Sequence, residues 1–148
     1  MLGIRTVAMA VRTWQTLRPR PAYSYQSLAV AGCAARAESG RALAVIADAR
    51  RETWHVQPIP ASGPPTGLQR LPLADLPSGE VVTPENFRSW APMPPAAKTC
   101  SYDLGGIFSR VADMDLFRAS DSPDAFQHEA PDYKKWSAQV HSAAQATK

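Results

Sequence analysis

Proline is concentrated in the middle of this chain, and that concentration most constrains what the chain can fold into. Ten of the 14 prolines lie between residues 57 and 96. Each proline fixes its own φ, lacks a backbone N–H and disfavours helical geometry in the residue before it. We therefore expect no long helix and no central strand in this segment. Residues 57–96 are predicted to be an extended connector between helical pieces.

The fold class that follows is mainly α with long irregular Pro-rich segments. Alanine supplies 25 of the apolar residues and buries little area per residue, so a well-packed independent core looks marginal. We expect an extended, non-globular small subunit with short helices at both ends. Its predicted parts are a presequence-like basic amphipathic segment at 1–37, a helix plus a short extended piece at 38–56, the Pro-rich connector at 57–96, and a C-terminal helical segment at 97–148.

Helical spacing is clearest at the two ends of the chain. In residues 2–17 the apolar stripe consists of Ile4, Val7, Val11 and Trp14, with Leu17 close to it. Towards the C-terminus we expect a helix over 103–118 with Asp103 as its N-cap, a short helix from Ser122 and a last helix over 131–146.

The middle of the chain is less clear. Residues 24–52 are rich in alanine and are predicted to be helical, with a weak point at Ser39-Gly40 and the firmer part over 41–51. The alternative is that 42–47 form a strand paired with 53–57. Inside the connector, Thr83-Pro84-Glu85 has the pattern of a helix start and predicts one or two helical turns.

The positive charge is concentrated at the N-terminus. Residues 1–37 contain five arginines and no acidic residue, whereas residues 38–148 contain 11 Lys and Arg against 13 Asp and Glu. An amphipathic, arginine-bearing start without acids resembles a mitochondrial transit peptide, and Arg36-Ala37 resembles a matrix-peptidase site. If the segment is retained, it would lie on a membrane surface or in the groove of a partner. An ordinary surface helix is the remaining alternative.

Residue patterns that carry catalysis or bind metals do not stand out in this sequence. The phosphate-binding, zinc-protease and nucleophile-elbow motifs do not occur, and the three histidines are not spaced as ligands on one helix face. Cys33 and Cys100 stand far apart and are expected to be reduced thiols. We therefore predict no catalytic residue, no metal and no cofactor.

Aromatic residues are the best candidates for contacts with other proteins, because tryptophan and tyrosine are enriched at interface hot spots. The candidates are Phe87, Trp90, Phe108, Phe117, Tyr133 and Trp136.

Together these features favour a non-catalytic accessory subunit of a large mitochondrial inner-membrane complex. The complex would be a respiratory chain complex of electron transport or the ATP synthase, and the protein would bridge neighbouring subunits. The apolar runs are too short to cross a bilayer, so we expect a peripheral location on the matrix side, with membrane contact through residues 2–17. The alternative is a mitochondrial ribosomal protein with a basic N-terminal arm, although the near-neutral body disfavours nucleic acid. A small matrix enzyme or assembly factor is the third hypothesis.

Overall fold

The computed structural model describes residues 2–124 of the chain. Within these residues the helices are α1 (Leu2–Leu17), α2 (Ser27–Ser39) and α3 (Leu104–Val111), with a turn of 3-10 helix at Leu73–Asp75. The strands are β1 (Tyr23–Ser24), β2 (Leu43–Asp48), β3 (Thr53–Ile59), β4 (Gln69–Pro72), β5 (Val81–Pro84), β6 (Ala97–Cys100) and β7 (Arg118–Ala119).

Strands β2 to β6 form a mixed sheet, which we call the main sheet, in the order β4-β3-β2-β5-β6. β3 is antiparallel to both β2 and β4, whereas β5 runs parallel to β2 and β6 parallel to β5. α2 and α3 pack on one face of this sheet, and the segments that follow β4 and β5 cover the other. β1 and β7 pair separately as a short antiparallel ladder. The prediction of a mainly α, extended and non-globular subunit is therefore wrong, because the protein is a compact α+β fold.

The predicted helix over residues 41–51 is also wrong, and the alternative strand pairing is the one that forms. β2 and β3 make a hairpin in which Val45 lies opposite Gln57. Val45 and Ile46 point to opposite faces of β2, yet both are 0% exposed because both faces of the sheet are covered. A strand covered on both faces is a continuous apolar run, which periodicity alone does not distinguish from a buried helix.

The proline-rich segment folds into the main sheet instead of extending away from it. Pro58 is accommodated in β3 because its missing N–H falls on the side away from β2, beyond Val56, the last residue of β3 that β4 pairs. On the β2 side, the N–H of Ala44 opposite Pro58 donates to the carbonyl of Glu80. Pro72 lies on an edge strand, and Pro84 lies past the residues of β5 that pair with β2. The prediction that 57–96 contains no central strand is thus wrong, because each proline occupies a position that needs no N–H.

The helix predicted after residue 83 does not form, since Thr83 and Pro84 end β5. Asp103 is confirmed as the N-cap of α3, where its carboxylate accepts hydrogen bonds from the N–H groups of Gly105 and Gly106. α3 ends at Val111, earlier than predicted, and the chain then returns to pair β7 with β1. The predicted helix over 131–146 and most of the short helix from Ser122 lie outside the described residues.

The core depends on how closely α2 approaches the main sheet. Residues 28–34 of α2 are all buried, and most of them are small. A Cβ placed on Gly32 would lie only 2.5 Å from Ile59 Cγ1 and from Val45 Cγ2. The small side chains of α2, which in the sequence suggest a core with little buried area, therefore allow the helix backbone to pack closely against the sheet.

Replacing Gly32 with alanine should lower the free energy of unfolding. The added methyl group must displace Ile59 or Val45 in a close-packed core, which typically costs about 1–3 kcal/mol. Gly79→Ala is the matched control, because no atom lies within 4 Å of the new Cβ and the glycine has no positive φ. Urea unfolding should show a clear loss for G32A and little change for G79A; equal midpoints would contradict this close packing.

Two N-terminal truncations should separate α1 from the core. Deletion of residues 1–21 removes α1 but keeps β1 and α2, so the body should still unfold cooperatively. Deletion of residues 1–37 removes the buried residues 28–34 and should leave no cooperative transition, because the apolar face of the main sheet is uncovered. Thermal unfolding followed by circular dichroism measures both, and a cooperative transition in the longer deletion would contradict the assignment of α2 to the core.

Candidate functional site

The structure separates the four described interface candidates into packed and exposed residues. Phe87 is half-buried and meets Tyr102 edge to face, with ring centroids 5.0 Å apart. Phe108 and Phe117 pack on each other at 5.6 Å and both contact Tyr25. These three phenylalanines therefore contribute mainly to the body of the protein. Tyr133 and Trp136 lie outside the described residues.

Trp90 is different, because 56% of it is exposed to solvent. It lies in the segment between β5 and β6, and the next residue, Ala91, packs on the sheet face opposite the helices. The guanidinium carbons of Arg50 and Arg88 lie 4.4 and 4.5 Å from the centroid of its ring. Arginine over an indole ring is a favourable cation–π arrangement. Trp90, Arg50 and Arg88 thus form a cationic, aromatic surface, which we call the Arg–Trp surface.

The carboxylate of Asp48 positions this surface. Asp48 is the last residue of β2, and its Oδ2 accepts hydrogen bonds from the N–H groups of Trp90 at 2.6 Å and Ala91 at 3.0 Å. Its Oδ1 accepts one from the N–H of Arg50 at 2.5 Å, and Ser89 Oγ donates to Oδ2 at 3.4 Å. These hydrogen bonds hold the pKa of Asp48 below its usual value, and the bond from the N–H of Ala91 contributes most to the lowering. The side chain of Asp48 therefore holds both the turn between β2 and β3, which carries Arg50, and the segment after β5, which carries Trp90.

The turn that presents Arg50 has an uncommon backbone conformation. Arg50, Arg51 and Glu52 have φ values of 65, 53 and 60°, in the left-handed region that favours glycine. The turn is held by the N–H of Ala49, which donates to the carbonyl of Thr53, and by the hydroxyl of Thr53, which donates to the carbonyl of Arg50. Arg70 adds hydrogen bonds to Thr53 Oγ1 and to the carbonyl of Ala49. Non-glycine residues kept in this region by many contacts are often functional.

Sequence reasoning named Trp90 as a candidate but did not name the two arginines that the structure places beside it. Arg50 lies in the hairpin turn between β2 and β3, so its position depends on the strand pairing. The available signal was the polar Arg-Arg-Glu run between two apolar stretches, which is typical of a hairpin turn once both stretches are interpreted as strands. Arg88 is two residues from Trp90 in sequence, a spacing that alone does not indicate ring stacking.

α1 exposes much of the apolar stripe that its sequence predicts. Ile4, Val7, Trp14 and Leu17 are 58–77% exposed, whereas Val11 is half-buried. The helix is linked to the body by Arg12, which forms an ion pair with Asp124 and donates to the carbonyl of Pro123. Within residues 2–124, none of the helices is both long and apolar enough to span a bilayer. α1 is therefore a surface helix whose apolar face is available for contact.

Two other features bear on possible chemistry. A cavity of about 430 Å³ opens beside β2, β3 and β4. Most of its lining residues are apolar, and Asp75 and Glu80 are its charged lining residues. Glu80 is paired with Lys98 at 3.2 Å, so this cavity offers little convergent polar chemistry.

Burial raises the pKa of the free thiols Cys33 and Cys100, which keeps them protonated and weakly nucleophilic. Among residues 2–124 no three His, Cys, Asp or Glu side chains are grouped so that they could hold a metal.

Comparison with protein-family models, curated proteins and solved structures finds no match to this chain.

The Asp48 hydrogen bonds predict a pH-dependent contribution to stability. Because the folded-state pKa is lowered, the contribution is present at neutral pH and is lost as the pH falls through that lowered value. Asp48→Asn should lower the free energy of unfolding at pH 7, since the amide NH₂ cannot accept from a backbone N–H. The difference between D48N and the parent chain should shrink in acid.

Denaturant unfolding at pH 7 and at pH 3 checks this expectation. Asp75→Asn is the matched control, because Asp75 is exposed and lies near the start of β2, at the end of that strand opposite Asp48. A D48N chain as stable as the parent at neutral pH would contradict the assigned role.

Proposed function

We propose that this protein is a non-catalytic accessory subunit of a large mitochondrial inner-membrane complex, either a respiratory chain complex or the ATP synthase. It would lie peripherally on the matrix side and contact neighbouring subunits. The observation that carries the proposal is α1, a helix that combines exposed apolar residues with arginines and no acidic residue.

The two sides of α1 are suited to two different environments. Val7, Trp14 and Leu17 lie on or beside one exposed apolar stripe, while Arg5 and Arg12 lie on the flank of the helix. A basic amphipathic helix binds at the interface of an anionic membrane, where apolar burial and charge attraction add together. The same pattern is typical of mitochondrial targeting. α1 therefore supports both a mitochondrial address and a peripheral membrane contact.

Bridging by this protein does not require a long extended connector. Residues 57–96 contribute β4 and β5 to the main sheet, so the body reaches its neighbours through surfaces of a compact fold. The exposed Trp90 with its two arginines is one such surface, since tryptophan and arginine are the residues most enriched at interface hot spots. The accessory role is thus supported by two separate surfaces, α1 and the Arg–Trp surface.

The alternative, a mitochondrial ribosomal protein, has weaker support. Its basic arm would need the N-terminal arginines to be available for RNA phosphates. Arg36, however, donates to the carbonyls of Pro60 and Gly63 within the body, and Arg12 is paired with Asp124. Two of the five N-terminal arginines therefore have partners inside the protein.

The direct test is the native size of the particle that contains this protein. Mitochondria are mildly solubilised and separated by size, and peptides of the chain are followed by mass spectrometry. Co-migration with respiratory or ATP-synthase subunits is the expected result. Co-migration with ribosomal subunits would replace the proposal with the alternative, and a peak near 16 kDa would indicate a free protein and overturn it.

Membrane contact by α1 should depend on the apolar stripe. Trp14→Gln should weaken binding of the full chain to vesicles of phosphatidylcholine with phosphatidylglycerol by about tenfold, because burying an aromatic side chain contributes roughly 1.5–3 kcal/mol. Met9→Gln is the matched control: Met9 is 69% exposed but lies on the opposite side of the helix from the stripe. Vesicle co-sedimentation measures both, and equal losses in the two variants would contradict a role for the stripe.

A further inference from the structure

Two kinds of contact distinguish five arginines of the body. Arg36, Arg70 and Arg110 direct their guanidinium groups at carbonyls, a hydroxyl or a carboxylate of the body. Arg50 and Arg88 instead lie over the ring of Trp90. Among residues 2–124 no carboxylate pairs with either of them. Their positive charge therefore faces solvent beside an exposed indole ring.

The geometry of this group favours carboxylates over nucleobases. A guanidinium stacked on an aromatic ring keeps its N–H donors at its edge, where they can form paired hydrogen bonds with a carboxylate. Base stacking by contrast needs a free aromatic face. The two guanidinium groups lie 4.4 and 4.5 Å from the Trp90 centroid, so a base that stacked over the same part of the ring would have to displace them.

The surface is also organised before any partner arrives. Asp48 holds the N–H groups of Arg50 and Trp90 at once, so the hairpin turn and the segment after β5 keep a fixed relative position. The left-handed residues 50–52, together with Asn86 at φ 64°, lie in these same two loops. A surface that is already ordered loses less entropy on binding. Asp48, Glu52 and Glu85 are the nearby acids in sequence. The oxygens of Asp48 are engaged by backbone N–H groups, and Glu85 Oε1 accepts from the N–H of Tyr102 and from Ser101 Oγ.

We propose that the Arg–Trp surface binds an acidic segment of a partner protein. Carboxylates of that segment pair with Arg50 and Arg88, and an apolar portion packs against the edge of Trp90. Arg51, the next residue in the same turn, adds positive charge that attracts the segment. The inference rests on the proposed role as a binding subunit, but not on mitochondrial location or on α1.

The test uses the full-length chain and a fluorescein-labelled peptide of ten glutamates as the probe, with binding followed by anisotropy at low salt. We expect saturable binding that Arg88→Ala and Arg50→Asn each weaken by about tenfold, as is typical for close charge pairs at interfaces. Asparagine is chosen at position 50 because it tolerates the left-handed backbone there. Trp90→Ala should weaken binding as well.

Arg41→Ala is the matched control, because Arg41 is an exposed arginine just before β2, at the end of that strand opposite Asp48. Binding that is unaffected by R41A but weakened by R88A and R50N supports the proposal. The proposal is overturned if the glutamate peptide does not bind, if R41A weakens binding as much as R88A, or if a labelled ten-nucleotide thymidine strand binds more tightly with the same dependence on Arg50 and Arg88. Peptide binding and native particle size are independent measurements, so failure of this surface is distinguishable from failure of the proposed function.

Discussion

The close approach of α2 to the main sheet is the contact on which the rest of the structure depends. Gly32 lets the helix backbone lie against Ile59 and Val45, and that contact covers one face of the central strands. With this face covered, β2 has no solvent-exposed side, because the segments after β4 and β5 cover the other one. β2 can therefore be apolar along most of its length, and its last residue, Asp48, is delivered to the protein surface at a fixed point.

Asp48 orders the Arg–Trp surface, because it is anchored in a core strand and hydrogen-bonds to both loops of that surface. Its two oxygens accept from N–H groups in two loops that are about 40 residues apart in sequence. The hairpin turn consequently keeps a left-handed conformation that arginine and glutamate rarely adopt, and the exposed Trp90 remains beside Arg50. Local backbone strain of this kind is tolerated only where surrounding bonds determine the geometry, as they do here.

Local features of the fold could be predicted from sequence, whereas pairing across the chain could not. The amphipathic helix at the N-terminus and the Asp103 cap follow from spacing and side-chain chemistry within a few residues. The strand at 43–48 was the alternative and a helix was the preferred prediction, because a run of alanine with Val45 and Ile46 is equally compatible with a buried strand and a buried helix. Pro58 and Pro84 argued against strands, but each lies beyond the residues that pair with one of its two neighbouring strands, and that position is known only once the register is known. Trp90 was named as a candidate because its aromatic type is visible in the sequence. Arg50 was not named, because its stacking on a ring in another loop depends on the fold.

The distribution of arginine partners separates what holds this fold together from what can bind outside it. Arg36 and Arg70 donate to backbone carbonyls of loops, so their guanidinium groups contribute to the body. Within residues 2–124, Arg50 and Arg88 donate to no such carbonyl, and both lie over an indole ring. An exposed tryptophan flanked by two arginines gains little from folding alone, because the ring stays mostly in water. The proposed binding role offers an explanation of the arrangement, since a partner that closed over the ring would exclude that water and strengthen the interactions of the two charges.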